Sequence, residues 1–203
     1  NQMNEFKVVE RAEPLTAEAL AIARDLGHRS MECEAYYITM VVYNYLEDLE
    51  KKRANGERGL ELARKLGDVR LIGNFLRSLA DIFLALGDAE TAHKMHVEAF
   101  EVQQQAGIQV MLPWLHLVRA YSSWKVGQYE EVDVHIDHAL RACTEHTDDY
   151  TAVHALLFLA QVVATQGNLE RAVEIGAAAR AVSRWERSLT GRKVFVEPLE
   201  ELT

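Results

Sequence analysis

The sequence predicts an all-α chain, a solenoid of antiparallel helix pairs, and three observations predict it. Glycines form two ladders: Gly27, Gly67 and Gly107 stand forty residues apart, and Gly87, Gly127 and Gly167 form a second ladder offset by twenty. The text echoes itself, with "ALAIARDLGH" at 19–28 set against "GLELARKLGD" at 59–68. Between glycines the apolar spacing is helical: Ile72, Phe75, Leu76, Leu79, Ala80, Phe83 and Leu84 follow in steps of three and one, a single stripe and not a strand's alternation. A glycine just past such a stripe is the expected left-handed helix stop. Two helices per forty residues is the mark of a helical solenoid, in which each unit buries its apolar face by stacking on the next.

In chain order, residues 1–28 read as a partial repeat, the second helix only, with Pro14 expected to delay its regular part. The opening Asn, where an initiator Met would stand, points to an excised fragment. Residues 29–67 form an irregular repeat: Glu47 holds the turn-glycine position, Met40 and Lys52 replace small residues, and Gly56 and Gly59 fall inside the second helix. Its length keeps Gly27 and Gly67 in step, which favours an in-register but weakened helix over an inserted loop. Repeats at 68–107, 108–147 and 148–187 follow; in the second of these Arg119 and Ser123 stand where Leu and an aromatic are expected, which puts its packing in doubt. Residues 188–203 leave the period, as a C-terminal cap or the start of the next segment, with Pro198 placed to open a short helix.

Within one unit, Leu76, Leu79, Ala80 and Phe83 precede the turn at Gly87, and Ala92 and Ala99 follow it. Small residues recur in register as Ala80, Ala120 and Ala160, as Ala12, Ala92 and Ala172, and as Ala19, Ala99, Ala139 and Ala179, where helix backbones are expected to approach closely. This pattern resembles the tetratricopeptide repeat (TPR) over residues 8 to about 183. The resemblance implies a right-handed superhelix of antiparallel helix pairs whose first helices line a concave groove. Carried over by register, that groove takes Tyr37, Val41, Asn44 and Tyr45, then Asn74, Arg77 and Asp81, then Trp114, Leu117, Tyr121, Trp124 and Lys125, then His154, Leu157 and Gln161. Tyr and Trp offer large contact area with a polar tip, which suits recognition of a peptide or helix. The alternative packs Trp114 and Leu117 against neighbouring helices and pairs Arg77 with Asp81 along one helix. The Lys and Asn pattern with which some family members clamp a terminal carboxylate is not present.

The helix ends "ARDLGH" and "ARKLGD", the forty-residue unit and the late segment "AVEIGAAARAV" look like the arrays of large bacterial signalling and transcriptional regulators, set beside a nucleotide-binding switch domain and an output domain. That resemblance implies a non-catalytic scaffold, the sensor or regulatory part of a larger protein, binding a protein or peptide or neighbouring domains of the same chain. The alternative is a small-effector sensor or a self-associating, homodimeric element of a transcriptional regulator.

Composition narrows the field further. A net charge of −9 argues against nucleic-acid binding by this segment. Two cysteines, Cys33 and Cys143, are too few and too distant for a disulfide framework, and a reducing, cytoplasmic setting is expected. Residues 150–169 carry no Asp, Glu, Lys or Arg, but the in-register Ala160 and Gly167 with Gln161, Thr165 and Gln166 mark a buried solenoid helix, not a membrane span. No phosphate loop, nucleophile elbow, HExxH or CxxC is present, so neither catalysis nor a cofactor is expected. His93 with His96, and His135 with His138, are HxxH pairs that Glu90 and Glu131 precede. The two pairs sit at different points of their repeats, so no metal site is expected and interhelical or surface histidines are the reading adopted.

Overall fold

The computed structural model describes residues 2–109, 111–146 and 148–182, and among these there are nine helices and no strand. They fall into two compact units, 1–108 and 109–203. The first contains α1 (Gln2–Asp25), α2 (Arg29–Tyr45), α3 (Leu49–Leu66), α4 (Val69–Ala85) and α5 (Ala89–Gln105). The second contains α6 (Leu112–Lys125), α7 (Tyr129–His146), α8 (Asp149–Thr165) and α9 (Leu169–Val182). Residues 183–203, including the stretch 188–203 read as a cap or the start of the next segment, lie outside the described residues.

One turn chemistry closes the helices of both units. All six ladder glycines have positive φ, from 65° at Gly27 to 88° at Gly167, and Glu47 takes the same left-handed conformation at 57°. The residue after each donates back five positions, as His28 N to Ala23 O (2.9 Å), Asp68 N to Ala63 O (3.1 Å) and Asp88 N to Phe83 O (2.9 Å), which satisfies the last carbonyls of the helix. After Glu47, Gly67 and Gly87 that same residue is an Asp that starts the next helix, and Asp148 does the same for α8. Asp48, Asp68, Asp88 and Asp148 each accept, through Oδ1, the backbone N–H three residues on, all at 3.0 Å. The Gly-Asp step is therefore a stop and a start in two residues.

The buried apolar residues of the first unit include Cys33 and Met40 of α2, Leu60 and Ala63 of α3, Leu71, Phe75, Leu76, Leu79 and Ala80 of α4, and Ala92 and Ala99 of α5. The helix α3 runs unbroken through Gly56 and Gly59, and the reason is steric. A Cβ at Gly56 would lie 2.9 Å from Met40 Sδ and 2.8 Å from Leu79 Cδ2, and one at Gly59 would lie 2.2 Å from Phe75 Cζ. Met40 is large where the pattern calls for a small residue, and glycine on α3 supplies the missing room.

Pro14 does not delay α1: the helix runs from Gln2 to Asp25 through it, although proline removes one N–H donor. Tertiary contacts hold that turn in place of the lost bond. Glu13 Oε1 accepts from Tyr43 Oη (2.9 Å) on α2 and from Lys51 Nζ (3.3 Å) on α3, while the Thr16 hydroxyl donates to the Glu13 carbonyl (2.9 Å). The expected close approach fails at Ala19, which is exposed in a stripe with Leu15, Ile22 and Leu26, because α1 packs on α2 through its other face, with Thr16, Leu20 and Ala23 buried.

In the second unit, Leu117, Ala120, Val132, Ile136, Ala139, Ala155, Phe158 and Ala179 form the core. The doubt over packing at Arg119 and Ser123 is resolved by polar contacts. Ser123 is buried and donates to Glu131 Oε2 (3.3 Å), and Arg119 Nη2 lies 3.5 Å from the same oxygen, so α6 and α7 close on a shared carboxylate. The α8 stretch read as a buried solenoid helix packs here through Ala155, Leu157, Phe158 and Val162, and no described helix is long and apolar enough to cross a membrane.

Candidate functional site

In the first unit the face shared by α2 and α4 is polar. Tyr37 is half-buried with its ring edge-on to Phe75, centroids 5.7 Å apart; Val41, Asn44 and Asn74 are half-buried, and Tyr45 is exposed. Arg77 Nη1 lies 3.8 Å from Asp81 Oδ2, the pairing that their spacing allows. Two residues reach this face from second helices. Lys52, 4% exposed, donates from Nζ to Asn44 Oδ1 at 2.8 Å, and His96, fully buried, places Nε2 3.8 Å from Asp81 Oδ1. Burial pulls the Lys52 ammonium below its ordinary range, against the opposing pull of Asp81. Burial also works against charge on Asp81, but His96, Arg77 and Lys52 together hold its carboxyl below the usual value. Arg77 Nε and both ring nitrogens of His96 have no hydrogen-bond partner among the described residues. Lys52 was legible in the sequence as a break in the repeat pattern, where a small residue was expected, and His96 as one half of an HxxH pair.

In the second unit the face shared by α6 and α8 is aromatic. Trp114 stacks on Tyr150 (5.6 Å, 29°) and meets His154 edge-on (5.7 Å). Tyr121 and Trp124 are half-buried around Phe158, at 5.4 and 5.9 Å between centroids. The exposed Lys125 carries its ammonium over both rings, 5.3 Å from Tyr121 and 4.9 Å from Trp124, a cation–π arrangement. Gln161, one turn beyond Phe158, has its Oε1 buried without a hydrogen-bond partner. Three groove expectations are corrected here: Leu117, His154 and Leu157 are buried, Leu117 and Leu157 as core, because they point between helices and not outward.

The histidines are regrouped by the fold. His96 is sealed against Asp81, so it does not form an accessible pair with His93. His135 and His138 are joined by a third histidine from α6: His116 Nδ1 lies 2.9 Å from His135 Nδ1, and its ring stacks on His138 at 5.0 Å and 20°. Burial, with His135, His138 and Arg119 adding to it, pushes the His116 imidazole down to about 4. Among the described residues no three His, Cys, Asp or Glu side chains are already gathered to hold a metal ion. Cys33 and Cys143 are free and buried, and burial raises their thiols to about 11 and about 12, which leaves them poor nucleophiles.

No protein-family model and no curated protein matches the chain. Solved structures do. BtubC (BKLC) from P. vanneervenii is 18% identical with a TM-score of 0.73, over 89% of this chain and 79% of that one. The apo form of RapI is 16% identical with a TM-score of 0.72, over 99% of this chain and 58% of that one. Aspartyl phosphate phosphatase F from Bacillus subtilis is 12% identical with a TM-score of 0.62, over 92% and 60%. The chain thus spans about three fifths of the length of the last two. At these identities the likeness is one of fold: the chain is an all-α helical-repeat solenoid of the TPR-like kind.

Proposed function

We propose that the chain is a non-catalytic interaction scaffold that binds a peptide or protein partner on its first-helix faces, as the sensor or regulatory part of a larger bacterial protein. One observation carries the reading. The first helices of both units carry half-buried aromatic rings, Tyr37 on α2 and Tyr121 and Trp124 on α6, and buried polar atoms with unmet hydrogen bonds, Arg77 Nε on α4 and Gln161 Oε1 on α8. A buried polar atom without a partner costs about 1–3 kcal/mol, and a ligand's backbone or side-chain groups recover that. The sealing of His96 and the raised thiols of Cys33 and Cys143 support a scaffold over an enzyme, since these groups serve helix packing.

The test is selection of a randomised peptide library on the chain, followed by affinity measurement. Selected peptides are expected to lose roughly tenfold or more on Tyr121→Ala or Trp124→Ala. Peptides whose affinity survives both substitutions, together with Tyr37→Ala and Arg77→Ala, would remove the faces from consideration.

A second reading, self-association, is favoured by the exposed stripe of Leu15, Ile22 and Leu26 on α1. It predicts a concentration-dependent dimer in sedimentation that Ile22→Glu abolishes. A monomer at all concentrations rules it out.

A further inference from the structure

The histidines between α6 and α7 take no part in the faces described above. We propose that His116 and His135, joined by His138, hold one divalent transition ion of the nickel, copper or zinc class across the α6–α7 pair. Two Nδ1 atoms from different helices already point at one another, 2.9 Å apart. Imidazole nitrogen binds such ions at about 2.0–2.1 Å, so a shared ion at that separation subtends roughly 90°, the cis angle of tetragonal or octahedral Ni(II) and Cu(II) sites. Widening the pair by roughly 0.4 Å reaches the tetrahedral angle of zinc.

The third nitrogen is within a side-chain rotation. His138 lies three residues beyond His135, on the same side of α7, and its ring stacks on His116. It is exposed, so it turns inward without disturbing the core.

At His135 the surroundings favour Nδ1 as the ligating nitrogen. His135 Nε2 lies 4.0 Å from Glu131 Oε2, and Arg119 (3.5 Å) and the Ser123 hydroxyl (3.3 Å) hold that carboxylate. A carboxylate charge on the side of the far nitrogen favours the proton there and Nδ1 of His135 as the electron-pair donor, and a short approach of Glu131 would give the outer carboxylate arrangement of many histidine-bound metals. Arg119 and Ser123, the two departures of α6 from its repeat pattern, are the residues that position it.

The experiment is calorimetric titration of the EDTA-stripped chain with Ni(II), Cu(II) and Zn(II) separately, with thermal melting at saturating Ni(II). One equivalent is expected to bind and to raise Tm, because the ion ties two helices in the folded state only. His116→Gln or His135→Gln is expected to weaken binding by roughly 100-fold or more and to abolish the Tm shift, and Glu131→Gln to weaken it about 10- to 100-fold. His93→Gln, outside the cluster, leaves affinity unchanged. Circular dichroism verifies that each variant folds. Should a glutamine variant not fold, nitrogen NMR of the wild-type chain decides: Zn(II)-induced shifts at Nδ1 of His116 and His135 support the site. Their absence, failure of all three ions to bind, or affinity that survives both glutamine variants overturns it.

Discussion

The α2–α3 pair of the first unit and the α6–α7 pair of the second depart from the same repeat pattern and close by opposite means. In α2–α3 the exchange is one of volume: Met40 is too large, and Gly56 and Gly59 on the facing helix α3 leave room for it and for Phe75 and Leu79 of α4. In α6–α7 it is one of charge: Ser123 and Arg119 stand in for an apolar pair, and Glu131 from the next helix gathers them. A repeat pattern therefore constrains what two facing positions add up to, and not each residue singly.

That contrast can be broken at graded cost. The largest effect is expected at Phe75, whose ring fills the space over Gly59: Phe75→Ala should destabilise the first unit by about 3–5 kcal/mol in denaturant unfolding. Next comes pH. The depressed His116 imidazole favours the uncharged form when folded, so its contribution is complete above the unfolded value of 6.5 and is lost as pH falls from there toward about 4. His154, also lowered chiefly by burial, acts in the same direction. The loss in the metal-free second unit should be on the order of 2–3 kcal/mol. Trp114 and Trp124 lie on α6, and the first unit has no tryptophan, so their fluorescence follows the second unit. The first unit's Asp81, with its carboxyl below the usual value of 3.8, keeps its contribution until pH falls below that. Stability that declines equally in both units between pH 6.5 and 4 would erase the distinction.

Gly59→Ala adds a methyl group against Phe75 and should cost about 1–3 kcal/mol despite alanine's better helix propensity. Combined with Phe75→Leu, the penalty should shrink, a coupling that a double-mutant cycle reads directly. The smallest change is a gain. Glu47 holds the left-handed turn conformation at φ 57°, and Glu47→Gly should raise stability by about 1 kcal/mol, seen as a higher Tm. No gain would mean that the glutamate's own contacts offset the strain.

The glycine ladders made the helix count and turn positions readable from the sequence, because positive φ is a local demand that glycine meets at every ladder position. Pro14 was misread for the opposite reason: the bonds from Tyr43 and Lys51 that hold its turn come from residues thirty and more positions away. Register placed Tyr37, Arg77, Tyr121 and Trp124 on first helices but did not separate them from Leu117, His154 and Leu157, whose burial depends on the neighbouring helix. The HxxH spacing revealed two histidines of the α6–α7 cluster. His116 had no sequence signature, since it joins them only across the interhelical gap.

Each unit also carries one sealed thiol, Cys33 in the first and Cys143 in the second. A sulfhydryl reagent can reach neither without local opening, so the chain has a built-in clock in each half. Labelling rates at the two native cysteines, resolved by peptide mass, would report how often each half opens, and whether they open together, without a single engineered probe.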